Sequence, residues 1–238
     1  AFIVFFAGIY VAIKQSEHRA VTTSDTIPQQ ATSWIAALSD YRLLIFVVVN
    51  IIFTTYISQL HSTLPLYFKN FIRVSEVNKG FVETTISALF TWHLIVAIIA
   101  QLPVARITKR LSHSMALSIS ALLWAIGFIF IWVTGVVTSH SAVWAALALF
   151  SFALAIVSYT PSASAFVSDI APADKRGIYF SINSLCWAAG YIIGPPLGGW
   201  ALDQSPFVIN IFWLGLSASV IFTVAILRYL RRLISNVR

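Results

Sequence analysis

The chain of 238 residues is too apolar and too weakly charged for an ordinary soluble domain: 59% of its residues are hydrophobic and 10% are charged, whereas soluble domains are about a quarter charged. Its 15 Lys and Arg exceed its 8 Asp and Glu, which gives a net charge of +7. Because these charges lie between long apolar runs rather than on a polar surface, they indicate a lipid bilayer as the partner and argue against nucleic acid.

Seven apolar runs follow one another along the chain. The first, 1–13, is shorter than the about 20 apolar residues that a membrane helix needs, and we interpret it as the end of a truncated transmembrane helix. The segment 14–41 is rich in Ser, Thr and Gln and is predicted to be a central loop. The remaining runs are each long enough to span a bilayer, and they cover 43–68, 81–105, 115–137, 142–167, 178–202 and 207–230. We therefore predict a six-helix transmembrane domain over 42–230 and a tail over 231–238.

The basic residues are distributed unequally between the two sides of this predicted bundle. Three of them, Lys69, Arg73 and Lys79, would lie on one side. The other twelve would lie opposite: Lys14, Arg19, Arg42, Arg106, Lys109, Arg110, Lys175, Arg176, Arg228, Arg231, Arg232 and Arg238. Since cytoplasmic loops carry the excess of Lys and Arg, we expect a multi-pass membrane protein whose central loop and C-terminus face the cytoplasm.

The fifth complete span carries an unusual set of helix-breaking residues. Gly190, Gly194 and Gly198 lie four residues apart and so share one helix face, where a second helix can approach closely because the side chains are absent. Pro195 and Pro196 remove two backbone donors and are expected to bend the helix. Two interpretations are open: a static packing seam, or a bent helix at a moving interface.

Polar side chains within the spans are candidates for lining a substrate cavity. The first complete span places Asn50, Thr54 and Ser58 on one face. The further candidates for substrate binding are Thr91, Tyr159, Asn183 and Trp187. The alternative for such residues is hydrogen bonding between helices, which contributes about 0.6 kcal/mol for each bond.

Enzyme and channel motifs are missing from the sequence. It contains no HExxH, paired Cys ligands, P-loop or Gly-x-Ser-x-Gly, and we predict no catalytic residue, no metal site and no cofactor. Every Asp and Glu is expected in a loop or at a helix end. His61 and His93 are then the only groups in the spans that titrate near neutral pH, and a lone His is more often a hydrogen-bonded packing residue.

Four stretches, in their order along the chain, resemble transporters of the major facilitator superfamily, in its drug-antiporter branch. "GYIIGPPLGGW" (190–200) is similar to the family's GxxxGPxxGG motif, which here includes Gly199. "QLPVARITKR" (101–110) stands where the family has a GRxxDR-type loop, although Ala105 replaces the glycine and Lys109 the acid. The other two stretches are "STLPLYF" (62–68) and "APADKRG" (171–177).

The resemblance implies an all-α integral membrane fold: the C-terminal half of a transporter, helices six or seven to twelve, built as a half-bundle of two inverted three-helix repeats. It implies a conformational motif at Gly190, Gly194, Pro195, Gly198 and Gly199, and a cytoplasmic loop motif at Arg106, Lys109, Arg110 and Arg176. The implied partners are the lipid bilayer, a missing N-terminal six-helix half, a small-molecule substrate and protons.

The implied function is alternating-access transport in a bacterial inner membrane, namely proton-coupled efflux of small amphipathic organic compounds. A facilitator-superfamily importer of a polar metabolite is the first alternative. A polytopic membrane enzyme is the second and less favoured alternative.

Overall fold

The computed structural model describes residues 34, 37–72 and 80–235, and the chain divides into two compact units, Ala1–Asp40 and Tyr41–Arg238. In the first unit Trp34, Ala37 and Leu38 are helical, and the Asp40 backbone N–H donates to the Ala37 carbonyl at 3.1 Å. The predicted helix end at 1–13, most of the predicted loop 14–41 and the last part of the predicted tail 231–238 lie outside the described residues.

The described residues of the second unit are mostly helical, and no strand is found among them. Its helices are α1 (Tyr41–His61), α2 (Thr63–Asn70), α3 (Glu83–Thr108), α4 (His113–Val136), α5 (Ser141–Ile170), α6 (Arg176–Leu202) and α7 (Pro206–Ser235). The all-α fold predicted from the long apolar runs is confirmed, and each of the six complete runs coincides with one helix or, for 43–68, with the pair α1 and α2.

Five segments are long and apolar enough to cross a membrane: α1 with α2, α3, α4, α5 and α7. Helix α6 has 27 residues, and at 1.5 Å for each residue it is about 40 Å long. It is not among the five, because its glycines, prolines and polar side chains lower its hydropathy. The fifth complete span predicted from the sequence (178–202) is therefore present as a helix of sufficient length, but it is less apolar than the others.

The helices pack in pairs that follow an internal repeat. Helix α4 packs on α5 and α7, while α1 packs on α6 and α3 packs on α5. The first three spans are α1 with α2, α3 and α4, and the last three are α5, α6 and α7. When each span is compared with its counterpart, α1 corresponds to α5 and α3 corresponds to α6. The contact between α1 and α6 therefore corresponds to the contact between α5 and α3. This equivalence is the arrangement expected of two three-helix repeats within a half-bundle.

An aromatic cluster fills the space between α1, α4, α5 and α7. Trp124 and Phe152 have ring centroids 4.8 Å apart, Tyr56 and Phe128 are separated by 5.2 Å, and Phe128 and Trp213 by 6.2 Å. All five side chains are buried. Aromatic pairs at these separations contribute about 0.5–1.5 kcal/mol each beyond the area that they bury, so this cluster holds α4 between its neighbours.

Gly127 provides a test of how tightly α4 and α5 are packed, because a Cβ atom there would overlap the ring of Phe152. We expect Gly127→Ala to lower the free energy of unfolding by about 1–3 kcal/mol through overpacking. Gly215→Ala is the control, since a Cβ atom added at this mid-helix glycine would meet no described atom within 4 Å. Both variants gain the same helix propensity, so equal melting temperatures in detergent would show that the α4–α5 contact is loose.

Candidate functional site

Helix α6 lies against α1 along its three spaced glycines, and we call this contact the glycine seam. It consists of Gly190, Gly194 and Gly198 on α6, and of Thr54, Ser58, Gln59 and Thr63 on α1 and α2. A Cβ atom at Gly194 would overlap the Ser58 hydroxyl, and one at Gly198 would overlap the Thr63 hydroxyl. The missing side chains are thus what allows the two helices to come so close.

Hydrogen bonds from side chains to backbone run along the glycine seam. Three side chains of α1 donate to carbonyl oxygens of α6: Thr54 Oγ1 to Cys186 (2.8 Å), Ser58 Oγ to Gly190 (3.1 Å) and Gln59 Nε2 to Gly194 (2.7 Å). All three donors are fully buried. A bilayer interior offers no water to such groups, so the carbonyls of α6, which glycine leaves accessible, satisfy them.

Asn50 connects three helices at one end of the glycine seam. Its Nδ2 donates to Asn183 Oδ1 on α6 at 2.8 Å, and its Oδ1 accepts from the Tyr159 hydroxyl on α5. The Tyr159 ring stacks on Phe53 with centroids 4.8 Å apart and lies 6.4 Å from the Trp187 ring. Asn50 is fully buried, whereas Asn183 and Trp187 are half-buried. We call Asn50, Tyr159, Asn183 and Trp187 the amide junction.

The structure brings together six of the seven side chains that the sequence suggested for substrate binding. Four form the amide junction, and Thr54 and Ser58 lie in the glycine seam. Thr91 lies apart on α3, exposed and donating to Ser87 O at 2.8 Å within its own helix. The geometry of Thr54 and Ser58 matches the interhelical alternative, and a contact with substrate stays a prediction for all seven.

Two residues of the predicted conformational motif, Pro195 and Gly199, are not part of the glycine seam. Pro195 and Pro196 lie within α6, which runs through both as one continuous helix. A proline removes the bond to the carbonyl four residues before it, here at Tyr191 and Ile192, whose side chains are exposed. Gly199 lies off the seam, where a Cβ atom added to it would meet no described atom within 4 Å.

Two further contacts involve residues outside the predicted substrate-binding set. Inside the glycine seam the Thr63 hydroxyl donates to Gln59 Oε1. The sequence did not indicate Gln59, because it does not share the four-residue spacing of Asn50, Thr54 and Ser58. On the other side of the bundle, His93 Nδ1 lies 2.9 Å from the Leu149 carbonyl, and Trp92 Nε1 donates to the Ala146 carbonyl at 3.2 Å. His93 is therefore a hydrogen-bonded packing residue that ties α3 to α5.

Charged side chains lie at the ends of the helices in the described part of the second unit. One end holds nine basic residues: Arg42, Arg106, Lys109, Arg110, Lys175, Arg176, Arg228, Arg231 and Arg232. Only Lys69 is described at the other end, where it pairs with Glu83 at 2.9 Å. Among the described residues, no group of three or more His, Cys, Asp or Glu could hold a metal ion.

Comparison with known proteins gives one family and a set of similar folds. The family described as Major Facilitator Superfamily matches residues 74–236. No curated protein sequence matches the chain. A crystal structure of a POT family transporter in complex with 5-aminolevulinic acid is similar, with a TM-score of 0.65 and 14% identity over 96% of this chain and 52% of that one.

A second similar structure is a POT family transporter in complex with a thioalcohol-conjugated peptide. Its TM-score is 0.65 at 13% identity, over 97% of this chain and 53% of that one. At such low identity the two structures are informative about the fold alone. The chain spans about half the length of both transporters.

The glycine seam predicts opposite results for two neighbouring glycines. Gly194→Leu must displace Ser58 and separate the helices, and we expect a loss of about 1–3 kcal/mol in the free energy of unfolding. Gly199→Leu lies further along α6 and off the seam, where a Cβ atom would meet no described atom within 4 Å, and it should melt near the wild-type temperature. Thermal unfolding of both purified variants decides the matter: similar destabilisation by both would contradict the seam as described.

Proposed function

Since the chain belongs to the major facilitator superfamily, we propose that it is the C-terminal half of a secondary transporter that works by alternating access. The observation that carries the proposal is the family match over residues 74–236, in a bundle whose described helices include five that can cross a membrane. The half-length coverage of both similar transporters supports the assignment to one half.

We propose that the cargo is a small amphipathic organic compound, exported in exchange for protons. Its contact residues would be Asn183 and Trp187, which lie one turn apart and keep part of their surface free. An amide beside a flat indole ring offers a polar and an apolar contact to one molecule. The resemblance to the drug-antiporter branch supports this direction of transport.

Import of a polar metabolite is the second candidate. Two observations favour it: in the amide junction a second amide and a phenol both bond to the Asn50 amide, and one similar POT family transporter is in complex with 5-aminolevulinic acid. A polar solute could replace the Asn50–Asn183 bond, whereas an amphipathic solute would lie against Trp187.

We assign different roles to the two groups of polar residues. Asn183 and Trp187 would contact the solute, while Asn50 and Tyr159 would position Asn183. The buried hydrogen bonds of the glycine seam would make α1 and α6 move as one body. A solute that binds Asn183 on α6 would then act on α5 through the Asn50 side chain, which bonds to both Asn183 and Tyr159.

We propose that the proton-carrying group lies in the N-terminal half that the resemblance implies. The described carboxylates, Asp40, Glu83, Asp169, Asp174 and Asp203, all lie at helix ends or between helices, whereas coupling carboxylates lie inside the membrane. We also propose that the end with nine basic residues faces the cytoplasm of a bacterial cell, which places Arg106, Lys109, Arg110 and Arg176 there.

The assigned roles predict different effects of two asparagine substitutions. Asn183→Ala should weaken solute binding, and it should cost less stability than Asn50→Ala because Asn183 is half-buried, although it also removes the acceptor of the buried Asn50 Nδ2. Asn50→Ala should cost about 1–3 kcal/mol of stability, because it leaves the Tyr159 hydroxyl buried without a partner. Ser184→Ala is the control, since its hydroxyl bonds only within α6, to Phe180 O at 3.0 Å. The measurements are ligand titration and thermal unfolding of the same samples. An unchanged affinity of Asn183→Ala for the solute would refute these roles.

The proposed position of the coupling group predicts that residues 1–238 alone do not carry out proton-driven transport. The measurement is solute flux into liposomes under an imposed pH gradient, with the chain reconstituted alone and together with its N-terminal half. Flux that needs only this chain and is abolished by His61→Ala or His93→Ala would place the coupling site here and refute the proposal.

A further inference from the structure

The hydrogen bonds of the amide junction have one direction, and Tyr159 sets it. The Tyr159 hydroxyl is buried and donates to Asn50 Oδ1, and it has no other acceptor in the described part of the chain. A buried hydroxyl that only accepted a bond would leave its own proton unsatisfied, which is costly in a site without water. The oxygen of the Asn50 amide is therefore held toward Tyr159.

The direction passes from Asn50 to Asn183. The orientation of an amide follows from the hydrogen bonds around it. With its oxygen held toward Tyr159, Asn50 turns its Nδ2 to α6 and donates to Asn183 Oδ1 at 2.8 Å. The oxygen of Asn183 is thus occupied on the inner side of the site. Its Nδ2, which carries two protons, has no acceptor among the described residues.

The free part of the junction consequently offers donors and an apolar ring. Asn183 and Trp187 are both half-buried and lie one turn apart on α6. The Nδ2 of Asn183 and the indole nitrogen of Trp187 can donate a hydrogen bond but cannot accept one. A solute group that also only donates would meet the protons of Nδ2, and it could reach the oxygen of Asn183 only by breaking the bond to Asn50.

We propose that this site selects solutes that present a hydrogen-bond acceptor, such as a carbonyl oxygen, beside a flat apolar ring, and that Tyr159 is the positioning residue for this preference. The inference rests on the proposed function, because it takes Asn183 and Trp187 to face the solute. It deepens that function by naming the chemical group that is recognised. It also makes the selectivity of α6 depend on a buried side chain of α5 that does not touch the solute.

The first test uses two flat bicyclic probes of similar size. Indanone has a carbonyl that accepts and no donor, whereas indole has an N–H that donates and no acceptor. We expect the chain, together with its N-terminal half in detergent, to bind indanone about tenfold more tightly than indole in calorimetric titrations. Asn183→Asp at about pH 9, well above the ordinary pKa of Asp, should reverse this preference. Its carboxylate still accepts from Asn50 but presents an oxygen to the solute.

The matched control for this variant is Asn210→Asp. The Asn210 Oδ1 on α7 also accepts from a buried tyrosine hydroxyl, that of Tyr67, at 2.9 Å. The substitution makes the same change of shape and charge at an amide outside the junction, so it should leave the preference for indanone as it is in the wild type. Equal effects of Asn183→Asp and Asn210→Asp on the ratio of the two affinities would overturn the inference.

The second test removes the group that sets the direction. In Tyr159→Phe either orientation of the Asn50 amide leaves one of its polar atoms without a partner, so both amides are free to turn over. We expect the tenfold preference for indanone to fall to about twofold or less. Tyr67→Phe is the control, since it also removes a buried hydroxyl that donates to an asparagine, and it should keep the preference. A purely structural role of Tyr159 would weaken the binding of both probes equally, and that result would contradict the proposed positioning role.

These measurements separate the inference from the proposed function. Equal affinities of the wild type for indanone and indole, with solute transport intact, would overturn the inference alone. A clear preference for indanone without any solute flux in liposomes would contradict the proposed function alone. If Asn183→Asp leaves the preference unchanged and instead weakens the association of the two halves, the N-terminal half supplies the acceptor for Asn183, and the inference is wrong.

Discussion

The arrangement of the bundle depends on how the polar side chains of α1 are satisfied in a medium without water. Thr54, Ser58 and Gln59 are fully buried, and each unsatisfied group in hydrocarbon would cost several kcal/mol. Their partners are carbonyl oxygens of α6, which are within reach because glycine takes up no space between the helix backbones. Close approach and polar satisfaction are therefore linked: the glycines of α6 bring its carbonyls within reach of the buried donors of α1, of which the Gln59 amide bonds to Gly194 O.

The two equivalent helix pairs solve the same packing problem differently. The pair α1–α6 is hydrogen-bonded from Asn50 to Gln59, first to the side chain of Asn183 and then to the carbonyls of Cys186, Gly190 and Gly194. In the pair α3–α5, side-chain hydrogen bonds come from Trp92 and His93, and a groove follows them. Only 17% of the most apolar window of α3 is buried. An internal repeat has thus produced one tightly joined pair and one more open pair, whose α3 surface the described part of this chain leaves mostly uncovered.

Local patterns in the sequence were sufficient to predict the helices and the close approach of a second helix to the glycines of α6. They did not predict which side chains bond to each other across the helices. Four-residue spacing correctly indicated that Gly190, Gly194 and Gly198 form one contact face. It also shows why Gly199 is off that face, since one residue turns a helix by about 100°. The partners of Asn50 could not be predicted, because Tyr159 and Asn183 are 109 and 133 residues away, and a helical period carries no information on which helices meet. The hydropathy of α6 is low because its interior face is bonded through backbone rather than through apolar side chains.

The sequence separation of the glycine seam has a consequence for how the protein is made. Its bonds join residues 132 to 135 positions apart, and synthesis proceeds at about 5–20 residues per second. Helix α6, whose carbonyls accept the hydrogen bonds of α1, is therefore synthesised on the order of 10 s after α1. During that interval a helix with Asn50, Thr54, Ser58 and Gln59 must be kept in the membrane by something other than its native partner. Until then its polar groups must be satisfied by the insertion machinery, by neighbouring helices or by bonds of the hydroxyls to their own helix. The bond from Thr54 to the Asn50 carbonyl, at 2.9 Å, is of the last kind.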